Sequence, residues 1–208
     1  MKELYFVRHG LTEWNAIGRM QGQFDSDLNE VGRRQADVNG RFLAQAGIDY
    51  MVASPLDRTR QTASIIGKHL GIDFDVDERI KEWHCGDWSG EMWDDVRVKW
   101  PEELAAWKSD QFYYRAPGAE NYPDMIDRAR PFLDDVLASE FGKIAIVSHG
   151  MIGRVMVGTL LSMSPEEMFS FSQANEMIFH LTQRDDAFLA QHYVAGEGPY
   201  GGLPPGDY

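Results

Sequence analysis

The stretch Ile144-Ala145-Ile146-Val147-Ser148-His149-Gly150 decides how this 208-residue chain is read. Four consecutive apolar residues, two isoleucines and a valine among them, describe a strand buried on both faces. Such strands belong to parallel sheets covered by helices on either side. The strand ends at Ser148, and His149-Gly150 begins the turn that follows. The same pattern opens the chain, where Leu4-Tyr5-Phe6-Val7 runs into Arg8-His9-Gly10. A shorter version is Tyr50-Met51-Val52-Ala53, broken by Ser54-Pro55.

Helical segments separate these strands. Residues 29–46 carry apolar side chains at helical spacing, with Asn29 as N-cap and Gly47 as stop. Further helices are expected over 59–70, ended by Gly71, over 122–140 and over 150–161. Residues 72–76, 177–182 and 188–194 are candidate strands. Alternating strands and helices predict an α/β fold, a three-layer α/β/α arrangement with a mostly parallel sheet, in a single domain over 1–208. Five of the six tryptophans, Trp83, Trp88, Trp93, Trp100 and Trp107, fall within 83–118. That stretch is expected to form a small helical insertion. The Gly- and Pro-rich residues 196–208 are expected to form a flexible tail or lid.

A hydrophobic content of 43% suffices for a full core. Twenty basic against 33 acidic residues leave a net charge of −13. Such a surface repels nucleic acid and anionic membranes unless the few basic residues are focused, and focused basic residues suit a small anion. Cys85 is the only cysteine, so no intrachain disulfide forms and a cytoplasmic location is expected. The apolar run 4–7 is too short for a signal peptide or a membrane span. No His-Glu-x-x-His, Cys-x-x-Cys or Gly-x-x-x-x-Gly-Lys pattern occurs, so neither a metal nor a cofactor is expected. A cysteine-phosphatase Cys-x₅-Arg pattern fails because position 91 is Glu.

In open α/β sheets ligands bind beyond the carboxyl ends of the strands. Here three strand ends supply Arg8 and His9, Ser54 through Arg58, and His149. Each residue alone is ordinarily structural; together they match the needs of phosphoryl transfer. Arginine forks suit phosphate oxygens, a neutral imidazole can attack phosphorus, and a carboxyl group can protonate the leaving oxygen. Arg8 and Arg58 are the candidate forks, His9 and His149 the candidate imidazoles, and Glu82 the best-placed carboxylate. Aromatic residues of 83–114 fill core in the main, with Trp83 and Trp88 the candidates to wall the substrate. Arg97, Lys99, Lys108 and Arg115 are expected to be solvated charges in the main, with one of them a candidate to bind a second anionic group.

With these residues in view, the chain resembles the histidine phosphatase superfamily, the phosphoglycerate-mutase-like enzymes. The resemblance rests on Arg8-His9-Gly10-Leu11-Thr12-Glu13-Trp14-Asn15, Gly18-Arg19-Met20-Gln21-Gly22, Ser54-Pro55-Leu56-Asp57-Arg58-Thr59-Arg60-Gln61-Thr62-Ala63, Glu82-Trp83-His84-Cys85-Gly86-Asp87-Trp88-Ser89-Gly90, Pro117-Gly118-Ala119-Glu120 and Val147-Ser148-His149-Gly150. These occur in family order over residues 5–153. Cys85 and Ser89 depart from the usual Phe and Glu of the Glu82 segment. The resemblance implies His9 as phosphohistidine nucleophile and Glu82 as proton donor. It implies Arg8, Arg58 and His149 as phosphate ligands, with Asn15 assisting and Gln21 touching the phosphate or leaving group.

The expected activity is metal-independent hydrolysis of a small phosphorylated metabolite. The alternative is a phosphoglycerate-mutase-type transferase. Mutases of this family tend to carry a Glu-Arg-x-Tyr-Gly segment, and Glu82-Trp83-His84-Cys85-Gly86 lacks its Arg and Tyr. A second alternative is an inactive relative serving as a binding or scaffold module, and the intact set of five site residues argues against it.

Overall fold

The computed structural model describes residues 1–206. Seven strands form one sheet: β1 (Glu3–Arg8), β2 (Tyr50–Ala53), β3 (Asp75–Val76), β4 (Lys143–Ser148), β5 (Met177–Arg184), β6 (Ala187–Val194) and β7 (Glu197–Gly201). Their order is β3-β2-β4-β1-β5-β6-β7. The pairs β3–β2, β2–β4 and β4–β1 are parallel, and β5, β6 and β7 continue the sheet antiparallel. The fold is α/β, and the parallel character belongs to the half that ends at the histidines. The candidate third strand is only two residues long.

The helices are α1 (Glu13–Ala16), α2 (Glu30–Ala46), α3 (Asp57–Leu70), α4 (Trp93–Lys99), α5 (Pro101–Ser109), α6 (Tyr122–Ala138), α7 (Gly150–Leu160) and α8 (Pro165–Phe169). Strand side chains alternate between two cores, as period-2 geometry requires. Leu4, Phe6, Ile144 and Ile146 pack with Ala129, Phe132 and Leu133 of α6 and Val155 and Met156 of α7. Tyr5, Val7, Ala145 and Val147 pack with Leu43 of α2 and Ala63 and Ile66 of α3. Helices thus cover both faces of the central strands. Asn29 caps α2 through the Gly32 amide, and Gly47 closes it in the left-handed conformation.

Residues 83–118 contribute α4, α5 and a 3-10 turn at Gly86–Trp88. They pack on the α6–α7 side through Trp83, Trp88, Val96 and Leu104. The mobile tail expected from residue 196 is corrected: Glu197–Gly201 form edge strand β7, paired with β6. Glycines that suggested a loop instead serve a tight reversal at Ala195-Gly196, both at positive φ. Residues 207 and 208 of that expected tail lie outside the described residues. No described helix is long and apolar enough to cross a membrane.

Where β1 ends, the chain passes against the start of α2 so closely that only glycine fits. A Cβ on Gly32 would strike the Leu11 carbonyl oxygen, and one on Gly10 would strike that of Gly32. Helix propensity alone would make Gly32→Ala stabilising by ~0.5–1 kcal/mol. Backbone on both sides cannot yield, so overpacking of ~1–3 kcal/mol dominates. Gly32→Ala is therefore expected to lower the urea midpoint and to disturb the loop carrying His9. A gain in stability would contradict this packing.

Candidate active site

Site residues come from four places that the sheet brings together. The β1–β4 ladder pairs Arg8 with Ser148 and continues with the His9 amide donating to Ser148 O at 3.0 Å. His9 and His149 consequently leave neighbouring strands side by side, ring centroids 5.3 Å apart and inclined by 61°. From the next strand, the Ser54 amide donates to Val147 O at 3.0 Å. Its hydroxyl lies 2.8 Å from His149 Nε2. Arg58 enters from the first turn of α3.

A cavity of about 320 Å³ opens over these strand ends. Arg8, His9, Asn15, Gln21, Arg58, Glu82 and Trp83 line it, so most sequence-predicted residues meet there. His149 is fully buried behind His9. Among its walls are also Arg19, Cys85 and Trp93.

The two cationic side chains are held by carbonyls. Arg8 Nη1 donates to Gln173 O at 2.7 Å. Arg58 donates to Phe24 O and Gly22 O, both at 2.7 Å, and pairs with Asp25 at 3.0 Å. Yet Arg8 Nε, Arg58 Nε and His149 Nδ1 are buried with no protein partner. Buried N–H donors are rarely left unpaired, because an unmade hydrogen bond costs ~1–3 kcal/mol. Arg8 and Arg58 line the cavity, and guanidinium donors left open there suit an anion with several acceptor oxygens.

His9 Nδ1 lies 2.8 Å from Gly10 O. A carbonyl only accepts, so Nδ1 carries the proton and Nε2 keeps its lone pair. Burial and the charges of Arg58 and Arg8 push the His9 pKa well below its ordinary value. Burial, then Arg58, His9 and Arg8, do the same to His149. Both imidazoles are neutral where a nucleophile must be.

Glu82 reaches the cavity from an irregular segment. One carboxylate oxygen accepts from the Trp83 amide at 2.9 Å and the Ile152 amide at 3.1 Å, and the other accepts from the Met151 amide at 3.2 Å. Met151 and Ile152 belong to the first turn of α7, whose amides favour an anion. Asn15 spends Oδ1 on the Thr12 hydroxyl at 3.0 Å. The Gln21 Oε1 is buried without a protein partner.

Several expectations need correction. Trp88 does not wall the cavity: the Gly86 turn, at φ +58°, sends it inward, fully buried and edge-on to Trp83 and Trp107. Trp83 does line the cavity, its indole N–H bound to Glu120 O at 2.6 Å. None of the four insertion cations lines it. Arg97 pairs with Asp94 and Lys99 with Glu91 on the surface. Arg19 takes that place, its guanidinium 5.1 Å above the Trp14 ring with Nε lacking a protein acceptor. It stood in the quoted Gly-Arg-Met-Gln-Gly segment without a role. Trp93, far from Arg8 in sequence and partly exposed, carried no signal of its own within the aromatic stretch. Burial pushes the Cys85 thiol up, so it lines the cavity as an inert small group.

The pattern of the histidine phosphatase superfamily (branch 1) matches residues 4–195. Phosphoserine phosphatase 1 of Hydrogenobacter thermophilus is 31% identical over 203 residues, spanning 96% of each chain. A probable phosphoglycerate mutase GpmB of Erwinia tasmaniensis is 34% identical, spanning 93% of this chain and 91% of its own. The solved structure of a mycobacterial glucosyl-3-phosphoglycerate phosphatase with VO3 superposes with a TM-score of 0.82 at 29% identity, covering 93% of this chain and 98% of that one.

The depressed histidines predict a stability profile. The unfolded chain protonates both imidazoles below pH ~6.5 while the folded site refuses the protons, so the unfolded state binds more of them. Stability is fully present above that pH and falls as pH drops below it, by up to ~1.4 kcal/mol per pH unit for each histidine. Urea unfolding from pH 7.5 to pH ~5 is expected to show this acid slope. His149→Gln should flatten it, and an unchanged slope would refute the assignment.

Proposed function

The chain belongs to the histidine phosphatase superfamily, and on that footing we propose that it is a metal-independent phosphomonoester hydrolase working through a phosphohistidine on a small phosphorylated metabolite. The observation that carries this reading is that Arg8 and Arg58, each with an Nε that has no partner among the described residues, line one cavity with His9, whose Nδ1 is engaged by Gly10 O and whose Nε2 is free.

In the first step His9 Nε2 attacks phosphorus as the ester P–O bond breaks, and Glu82 gives its proton to the leaving oxygen. Arg8 and Arg58 neutralise the equatorial oxygens, and their fixed dipoles favour the charge distribution of the transition state. The Ser54 hydroxyl lies 2.8 Å from His149 Nε2, and with Ser54 as the donor His149 carries its proton on Nδ1, for a phosphate oxygen. In the second step Glu82 takes a proton from water, the oxygen attacks phosphorus and the P–N bond breaks. Phosphate leaves, and His9 is again neutral. No step requires a metal ion. Among the described residues no group of three His, Cys, Asp or Glu side chains is placed to hold one.

Arg19, Trp83 and Trp93, which line the same cavity, are the residues proposed to meet the substrate's other end. Phosphoserine and phosphoglycerate, in the names of the relatives, are esters of small carboxylic acids. Arg19, without an acidic partner in the protein, suits such a carboxylate. The relative named a probable mutase supports phosphoryl return to a second hydroxyl as the competing reading. Measuring free phosphate against phosphoglycerate isomerisation separates the two. A substrate of this kind places the enzyme among cytoplasmic metabolic phosphatases.

Rapid quench with labelled substrate is expected to trap an acid-labile, base-stable phosphoenzyme. The label should vanish in His9→Ala and persist longer in Glu82→Gln, whose turnover falls by roughly 10²–10⁴-fold. An unlabelled wild type with good turnover would sink the mechanism, and so would loss of activity in chelator. Across a panel of phosphate esters, Arg19→Ala should raise KM about tenfold or more for phosphorylated carboxylic acids. It should leave p-nitrophenyl phosphate nearly unaffected, and an equal loss on both would remove Arg19 from substrate selection.

A further inference from the structure

Glu82 stands on a segment that no regular element holds. Residues 81–85 belong to neither helix nor strand, so no ladder engages their carbonyls. Side chains do this instead, Gln23 Nε2 donating to Glu82 O at 3.0 Å and Arg128 of α6 reaching two of them. Arg128 Nη1 donates to Arg79 O at 2.8 Å and to Lys81 O at 2.9 Å, and Nη2 reaches Glu82 O at 3.5 Å. Its Nε and Nη2 also fork onto the two carboxylate oxygens of Glu120, each at 2.8 Å. A guanidinium has five N–H donors, and every one is engaged here.

Glu120 closes the clasp from the other side. Its amide donates to His84 O at 3.0 Å, its carbonyl accepts the Trp83 indole N–H, and its Oε2 accepts the His84 amide at 3.0 Å. Together the pair grips the chain from residue 79 to residue 84. The two side chains are only 19% and 22% exposed. At that depth desolvation offsets much of the Coulomb attraction, so such a pair contributes little net stability. What it supplies is geometry. The α7 amides hold the carboxylate end of Glu82, while Gln23 and Arg128 together hold its backbone end.

We propose that Arg128 and Glu120 form a positioning clamp that aims the Glu82 carboxyl at the leaving oxygen. The proposal rests on Glu82 being the proton donor. Neither clamp residue lines the cavity, so neither touches the reacting atoms. A proton donor displaced by 1 Å loses on the order of 10²-fold in rate. The loss falls on the step that needs the proton. An alkoxide leaves only if protonated, whereas p-nitrophenolate leaves unaided as a stable anion.

The test is therefore a leaving-group comparison on the full chain, using the best alkyl phosphate of the substrate panel beside p-nitrophenyl phosphate. Arg128 also lends positive charge to the surroundings of His149. Arg128→Lys keeps that charge and removes the fork, so it is measured with Arg128→Gln. Because kcat/KM reports only the steps through phosphoenzyme formation, both are expected to lower kcat/KM for the alkyl ester by about tenfold or more and to change that for p-nitrophenyl phosphate by less than about threefold. Glu82→Gln should show the same divergence, and Arg128→Gln added to Glu82→Gln should widen it no further. Should Arg128→Gln fail to fold, Arg128→Lys and Glu120→Gln carry the comparison, with a smaller shift of the same sign. Equal losses on both esters, or no loss, overturn the clamp. A flat ratio in Glu82→Gln overturns the proton-donor reading and the clamp with it. Divergence in Glu82→Gln beside flat ratios in the Arg128 variants overturns the clamp alone.

Discussion

The parallel register of β1 on β4, with Arg8 opposite Ser148, governs the site. Each strand sends its next residue, His9 or His149, past the sheet edge at the same height. The backbone bond from His9 N to Ser148 O carries the ladder one step beyond that pair. A slip of one residue would turn every side chain of β1 to the opposite face. Leu4 and Phe6 would trade cores with Tyr5 and Val7, which pack against different helices. Hydrophobic burial on both faces therefore sets the position of two polar residues that contribute nothing to the core themselves. Gly10 and Gly32 add a second restraint by bringing the following loop onto the start of α2.

That arrangement opposes folding locally. Arg58, His9 and His149 are buried together with the half-buried Arg8, placing like charges near neutral imidazoles. Carbonyls and Asp25 satisfy part of the guanidinium donors, and three N–H groups find no partner. The protein holds these donors in place in advance, so a phosphoryl group meets oriented dipoles that need little reorganisation. The strain falls on the native state at acid pH, where the unfolded chain takes protons that the site refuses.

Residues 83–118 show how the sheet's regular chemistry acquires particular walls. Trp83 and Trp93 face the cavity, while Trp88 and Trp107 pack behind them. A single ion pair on α6 and the 117–120 turn, Arg128 with Glu120, ties this layer to the segment that carries Glu82. Polar contacts of modest net stability thus hold the one site carboxylate that no strand end delivers.

Much of the fold was legible in local pattern. Two-sided apolar runs marked β1, β2 and β4, and Asn29, Gly47 and Gly71 marked helix limits, because hydrophobic period and cap chemistry act between near neighbours. Arg8, His9, Arg58 and His149 were legible for the same reason: each lies at or within a few residues of a strand end that is visible in sequence. Arg19, Trp93 and the Arg128–Glu120 pair were not, since their roles come from contacts between distant segments. Trp88 was misread because only the Gly86 turn decides which way an indole points. Edge strand β7 was misread because a Gly- and Pro-rich segment lacks strand propensity until β6 offers it a ladder. The sequence by itself determined the α/β scaffold and the residues at its strand ends, through burial periodicity. Only the tertiary structure decided which of them share a cavity, which walls surround it and what holds Glu82, because those depend on packing and hydrogen bonds across the chain.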